Sequence, residues 1–206
     1  MDLDLDRKDA DIESIAEKAR KDEEVLSNVV RGVLSSTEVL RFNSFKVLLL
    51  VSEENPELLH PYWDTFVTML TSVNTYQRHI AVYLIANLTR KDTEGKFEEI
   101  FDTYFDLLND ESVIPAAHLA LNSGKIAKAK PHLQTEITSK LLSIDETHHK
   151  PERKDLIKGY AIEGFSEYFE EVADKEKILN FVTEQLESKS PTTRKKAKTF
   201  LKKWKG

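Results

Sequence analysis

Asp2, Asp4, Asp6 and Glu13 stand at the spacing of the first, third, fifth and twelfth ligands of a helix–loop–helix calcium site. Arg7 holds the sixth place, where glycine would make the turn, and Asp9 the eighth, where an apolar residue belongs. The segment 1–10 is therefore expected to be a charged, frayed terminus. His148 and His149 are adjacent, while His60, His79, His118 and His132 are scattered. Helical zinc sites use histidines four residues apart with a carboxylate close by, and this chain has no such pair. It has no cysteine, hence no disulfide, thiolate ligand or cysteine nucleophile. It also lacks a G-x-S-x-G elbow and a glycine-rich phosphate loop. Glu163, Glu167, Glu170 and Glu171 have the spacing of a solvated helix face rather than of a paired acid and base. The expectation is a protein with no catalytic residue, no metal and no cofactor, not an enzyme.

Charge is distributed unevenly along the chain. From Lys189 onward there are eight basic residues and no acid. Lys195, Lys196, Lys198, Lys202 and Lys203 surround an apolar line of Ala197, Phe200, Leu201 and Trp204. Such a helix can be the polar outer face of a terminal repeat, with lysines suited to a helix C-terminus. It can equally be a docking surface for an acidic partner, nucleic acid, an anionic membrane or the acidic N-terminal segment of another copy.

The elements that carry these residues are read from caps and periodicity. Ser35-Ser36-Thr37-Glu38 fits a capping box, and Asn74-Thr75-Tyr76-Gln77 repeats its chemistry. Ser190-Pro191 places a cap before a first-turn proline, Pro56 and Pro131 open two other helices, and Asp174 caps another. Between these marks the apolar spacing is helical. The segments pair as 22–34 with 36–53, 56–71 with 75–91, 94–109 with 112–129, 132–144 with 151–171, and 175–188 with 191–204, after a short helix at 11–20. Short links make each pair antiparallel.

The second helices share a pattern: a basic residue, a small residue three on, then apolar residues six, seven and ten on. Arg41, Ser44, Val47, Leu48 and Val51 fit it, as do Arg78, Ala81, Leu84, Ile85 and Leu88, and Arg194, Ala197, Phe200, Leu201 and Trp204. Lys158, Ala161, Gly164, Phe165 and Tyr168 fit loosely, and Ile114, Ala117, Ala120, Leu121 and Gly124 poorly. Arg41 and Arg78 stand 37 residues apart, and Lys158 and Arg194 stand 36 apart. Helix pairs at this period are the signature of a solenoid.

Composition agrees. Only 6 Gly and 6 Pro leave too few breakers for an all-β chain, and 40% hydrophobic residues are enough for a core. The net charge of −6 opposes a protein whose whole surface holds nucleic acid. The longest aliphatic run, Val47 to Val51, is far short of a membrane span, and the acidic start has no signal-peptide core. A cytoplasmic location is expected.

On its repeat length, its prolines at first helices and Arg41, Arg78 and Arg194 early in second helices, the chain resembles the HEAT/armadillo superfamily over residues 22–204. The resemblance implies an all-α, right-handed α-α superhelix of about five antiparallel helix pairs, one repeat domain over 11–206. Members typically pair such an arginine with an aspartate in the preceding turn; here Asn74 stands in that region and no aspartate precedes Arg41 or Arg194. The second helices of such arrays line a concave face. Tyr76, Ile80, Tyr83, Asn87, Tyr160 and Glu163 would then form a ridge for a protein partner, or else the tyrosines pack between repeats. The function implied is a non-enzymatic protein-binding scaffold. The alternative is nucleic-acid binding: some HEAT-like proteins are alkylpurine DNA glycosylases, and Trp63-Asp64 is the one tryptophan–aspartate pair here, with Trp63 on an expected core stripe.

Overall fold

A computed structural model describes residues 3–173 and 175–205. Every regular element among them is helical and none is a strand. The chain divides into two compact units, Met1–Glu94 and Gly95–Gly206.

The first unit holds α1 (Ile12–Ala19), α2 (Glu23–Gly32), α3 (Glu38–Glu54), α4 (Trp63–Leu70) and α5 (Thr75–Leu88). α1 and α5 both pack on α3, and α4 packs on α5. The core forms where their apolar faces meet, with Leu48, Val51, Leu59, Phe66, Leu84 and Ile85 fully buried. Asp11 and Asp22 cap α1 and α2 by accepting from the Ser14 and Glu24 amides at 3.0 and 2.9 Å. Pro56 opens a 3₁₀ segment, Pro56–Tyr62, instead of an α-helix. Pro61 has no amide to donate, so the α-helical ladder begins only at Trp63. The terminus expected to fray is held: Asn43, inside α3, donates to the carbonyls of Leu5 and Arg7 at 3.0 and 2.7 Å, and Leu5 is buried. Of the calcium-like acids, Asp2 lies outside the described residues and Asp4 pairs with Arg7.

The second unit holds α6 (Lys96–Glu99), α7 (Phe101–Phe105), α8 (Val113–Ala129), α9 (Gln134–Leu142), α10 (Pro151–Ser166), α11 (Lys175–Glu184) and α12 (Pro191–Trp204). The segment expected as one helix over 94–109 is broken at Ile100 and tightens to a 3₁₀ turn after Phe105. Phe97, Phe101, Tyr104 and Phe105 pack against one another there. α8, α10 and α12 lie side by side. α8 meets α10 where Gly124 faces Gly164: a β-carbon on either glycine would collide with backbone of the other helix. α10 meets α12 at Gly159, where a β-carbon would collide with the Thr193 hydroxyl, and Thr193 donates that hydroxyl to the Asp155 carbonyl at 2.7 Å. The residue expected to cap α11, Asp174, lies outside the described residues.

One turn recurs before four of the second helices. Ser35, Ser72 and Ser188 each accept, through the side-chain hydroxyl, from the amide two residues on, those of Thr37, Asn74 and Ser190; Asp110 does the same for Ser112. The acceptor's partner is in each case the N-cap residue. Helix α3 thus has Thr37 and not Ser35 as its N-cap, because the Ser35 hydroxyl is spent on the turn. Four residues after the cap comes the recurring arginine. Arg41, Arg78 and Arg194 donate back to the carbonyls of Ser35, Ser72 and Ser188 at 2.8, 2.6 and 2.5 Å. A backbone carbonyl therefore does the work that the resemblance assigned to an aspartate. In α10 the longer loop changes the partner: Lys154 donates to the Asp145 carbonyl at 2.7 Å, and Lys158 pairs with the Asp145 carboxylate at 2.7 Å.

The cap also shifts the register of α8. Counted from Ser112, the stripe is Ala116, Leu119, Asn122, Ser123 and Ile126, all buried; of the expected stripe Ala117, Ala120 and Gly124 are buried too, Leu121 is half-buried and Ile114 is exposed. Asn122 and Ser123 made the pattern look degenerate. Their side chains donate to carbonyls of their own helix, those of His118 and Leu119, which lets polar groups occupy a buried stripe.

Candidate functional site

In the first unit the outward strip of α3 and α5 carries the aromatic residues. Tyr76 is 52% exposed, in the first turn of α5 where the Asn74 cap fixes the helix start. The Arg41 guanidinium lies 5.4 Å from its ring. Phe42, one residue along α3, is 57% exposed, with the Lys46 ammonium 4.8 Å from its ring. Tyr83 is half-buried, edge-on to Phe45 and His79 with ring centroids 5.7 and 5.2 Å away.

Two residues of the expected ridge are not on this surface. Ile80 is 3% exposed and Asn87 is 1% exposed. Ile80 sits on the side of α5 that enters the core. Asn87 is drawn in by Ser52 of α3, to whose hydroxyl it donates at 2.8 Å. Trp63 is also buried, with His60 stacked beside it. Phe42 was missed by the sequence reading, although it lies on the same helical strip as Val39 and Lys46. The signal was present but needed the face of α3 to be assigned.

In the second unit Tyr160 and Glu163 of α10 come together with Lys196 of α12. The Lys196 ammonium is 2.7 Å from the Glu163 carboxylate and 4.3 Å from the centre of the Tyr160 ring, which is edge-on to His118 of α8. Burial first, and then the Lys196 charge, hold the His118 imidazole below its ordinary pKa. Beside this cluster a groove of about 370 Å³ runs between α10 and α12. Its floor is Ile162 and Phe200, its rim Lys195, Lys196 and Lys203, and Ser166 and Thr199 add hydroxyls. Glu163 is the only carboxylate among the lining residues. Of the expected basic patch, Lys195, Lys198, Lys202 and Lys203 are exposed, and Lys196 is half-buried by its ion pair. Sequence spacing alone could not show the groove, because its two walls are separated by α11.

His148 and His149, expected as a polar loop, dock that loop on the turn before α8. His148 meets the Asn109 side chain at 2.6 Å, and buried His149 meets the Leu108 carbonyl at 3.1 Å. Among the described residues no group of three or more His, Cys, Asp or Glu is placed to hold a metal ion. No helix among them is long and apolar enough to cross a membrane. Compared with protein-family models, curated proteins and solved structures, the chain matches none.

Proposed function

We propose that this chain is a non-enzymatic protein-docking module, in which the helix hairpins of each unit stack as a HEAT-like, right-handed solenoid and a partner segment lies on the outward strip of the second helices. The observation that carries the reading is the pair of exposed rings, Phe42 and Tyr76, on neighbouring helices α3 and α5 around Arg41. Large aromatic rings left at the surface are enriched in protein–protein interfaces, and here buried Arg41 supports the Tyr76 ring from below. Two features support the stacking. The second helices are neighbours within each unit, α3 with α5 and α8 with α10 and α12. The same serine–arginine turn precedes α3, α5 and α12.

The test is capture of a partner by the intact chain and by Phe42→Ala and Tyr76→Ala. The variants should lose a defined protein that the unaltered chain retains, while their helical circular dichroism and melting stay the same. An identical set of captured proteins would end the reading. A second reading, nucleic-acid binding, has the exposed lysines of α12 in its favour. Against a glycosylase-like version stands Trp63, which is in the core. That reading requires DNA affinity that collapses with added salt.

A further inference from the structure

We infer that the groove between α10 and α12 binds an acidic peptide segment of a partner protein, one that carries an apolar side chain between carboxylates. The inference rests on the docking-module reading and names the partner chemistry for the second unit.

The groove has two chemistries in register. Lys195, Lys196 and Lys203 stand over Ile162 and Phe200, which are nearly fully buried, so the groove's apolar surface is that of the lysine stems and threonine methyls that line it. A ligand that is apolar alone would leave the ammonium groups without counter-charge. A compact anion alone would leave the apolar lining uncovered. A peptide with alternating apolar and acidic side chains satisfies both: its apolar side chain lies against the stems and its carboxylates meet the rim. The volume, about 370 Å³, falls in the range of ligand-binding clefts.

The lysines are not equivalent. Lys196 is already held by Glu163 at 2.7 Å, and that pair fixes the wall of the groove. Lys195 pairs with no carboxylate among the described residues, and Lys203 lies 4.2 Å from the Trp204 ring, still exposed. These two supply the charge for an incoming acid.

The Glu163–Lys196 pair leaves Lys195 and Lys203 to supply the charge on the rim, which suits two spaced carboxylates better than a continuous phosphodiester chain. The chain's own Asp-Leu repeat at its N-terminus is not the occupant. Its Leu5 is buried in the first unit, and Asn43 holds the carbonyls of Leu5 and Arg7.

Fluorescence anisotropy on the intact chain tests this, with a short fluorescein-labelled peptide of alternating leucine and aspartate as the probe. Two variants are compared: Lys195→Glu with Lys203→Glu, which reverses the rim charge, and Thr199→Trp, which fills the groove without changing charge. Both alter exposed positions, and circular dichroism checks that each is folded. Saturable binding to the unaltered chain is expected, weakened about tenfold or more by either variant and by added salt, and lost when asparagine replaces aspartate in the probe. No saturable binding, an affinity in both variants equal to that of the unaltered chain, or equal affinity for the asparagine peptide overturns the inference. Displacement of the probe by a single-stranded DNA oligonucleotide at lower concentration than unlabelled peptide overturns it in favour of nucleic acid. If the groove fails while Tyr76→Ala still loses a captured partner, the groove assignment alone is wrong and the docking reading stands.

Discussion

Arg78 shows how one side chain serves both the turn and the helix. Its guanidinium donates to the Ser72 carbonyl at 2.6 Å and to the Thr75 hydroxyl at 3.3 Å, and it is 6% exposed. Alanine there leaves a nearly buried carbonyl without its charged donor. Arg78→Ala should lower unfolding stability by about 1–3 kcal/mol in urea titration, with Arg78→Lys intermediate because one ammonium cannot reproduce the fork. Unchanged stability would remove the turn from the account of the fold. A smaller effect is expected at Tyr168, whose hydroxyl meets that of Thr138 at 2.8 Å in a buried site. Burial pushes the phenol's pKa well above its ordinary value, so it stays neutral. Tyr168→Phe should cost about 1 kcal/mol in the same measurement. The arginine positions were legible in the sequence as a recurrence, but their acceptor was not. A carbonyl has no residue type, so only folding shows which one the fork reaches.

At the scale of elements, the α8–α10 contact depends on having no side chain at Gly124 and Gly164. Gly124→Ala forces the two helices apart against backbone, which cannot move aside as a flexible side chain would. The expected loss is about 1–3 kcal/mol or more in thermal or urea unfolding, despite alanine's better helix propensity. A gain in stability would mean that the helices are not in close contact. The loop between α9 and α10 brings a second test. His149 is kept below its ordinary pKa first by burial and then by neighbouring His148, and His118 is lowered too. The unfolded chain therefore binds protons first as pH falls. Stability of the second unit should be complete above about pH 6.5 and decline below it. His149→Gln should flatten that decline in melting curves taken from neutral to mildly acid pH. A melting temperature independent of pH over this range would contradict the burial of both rings.

For the whole molecule, the division at Glu94 and Gly95 makes a direct claim: each unit has its own core. Residues 95–206 produced alone should show helical circular dichroism and a cooperative melt; a chain with no melt would mean that its core needs the first unit. Helix content, the starts of most helices and the stripes that α3, α5 and α10 bury were legible in the sequence. These follow from local physics, since caps and a 3.6-residue apolar period act within one element. The sequence did not determine the division into units, the register of α8 or the docking of the N-terminal segment on Asn43. The register was hidden because the Asn122 amide and the Ser123 hydroxyl donate inside their own helix, so their polarity does not mark them as exposed. The expected ridge was divided for the same kind of reason. Tyr76 and Asn87 share a helix and a phase, yet Ser52 on the neighbouring helix takes Asn87 into the interior, while Tyr76 stays exposed. The groove between α10 and α12 likewise exists only once α10 and α12 lie side by side. Burial and cavities are properties of neighbours, and neighbours distant in sequence are chosen by the tertiary structure.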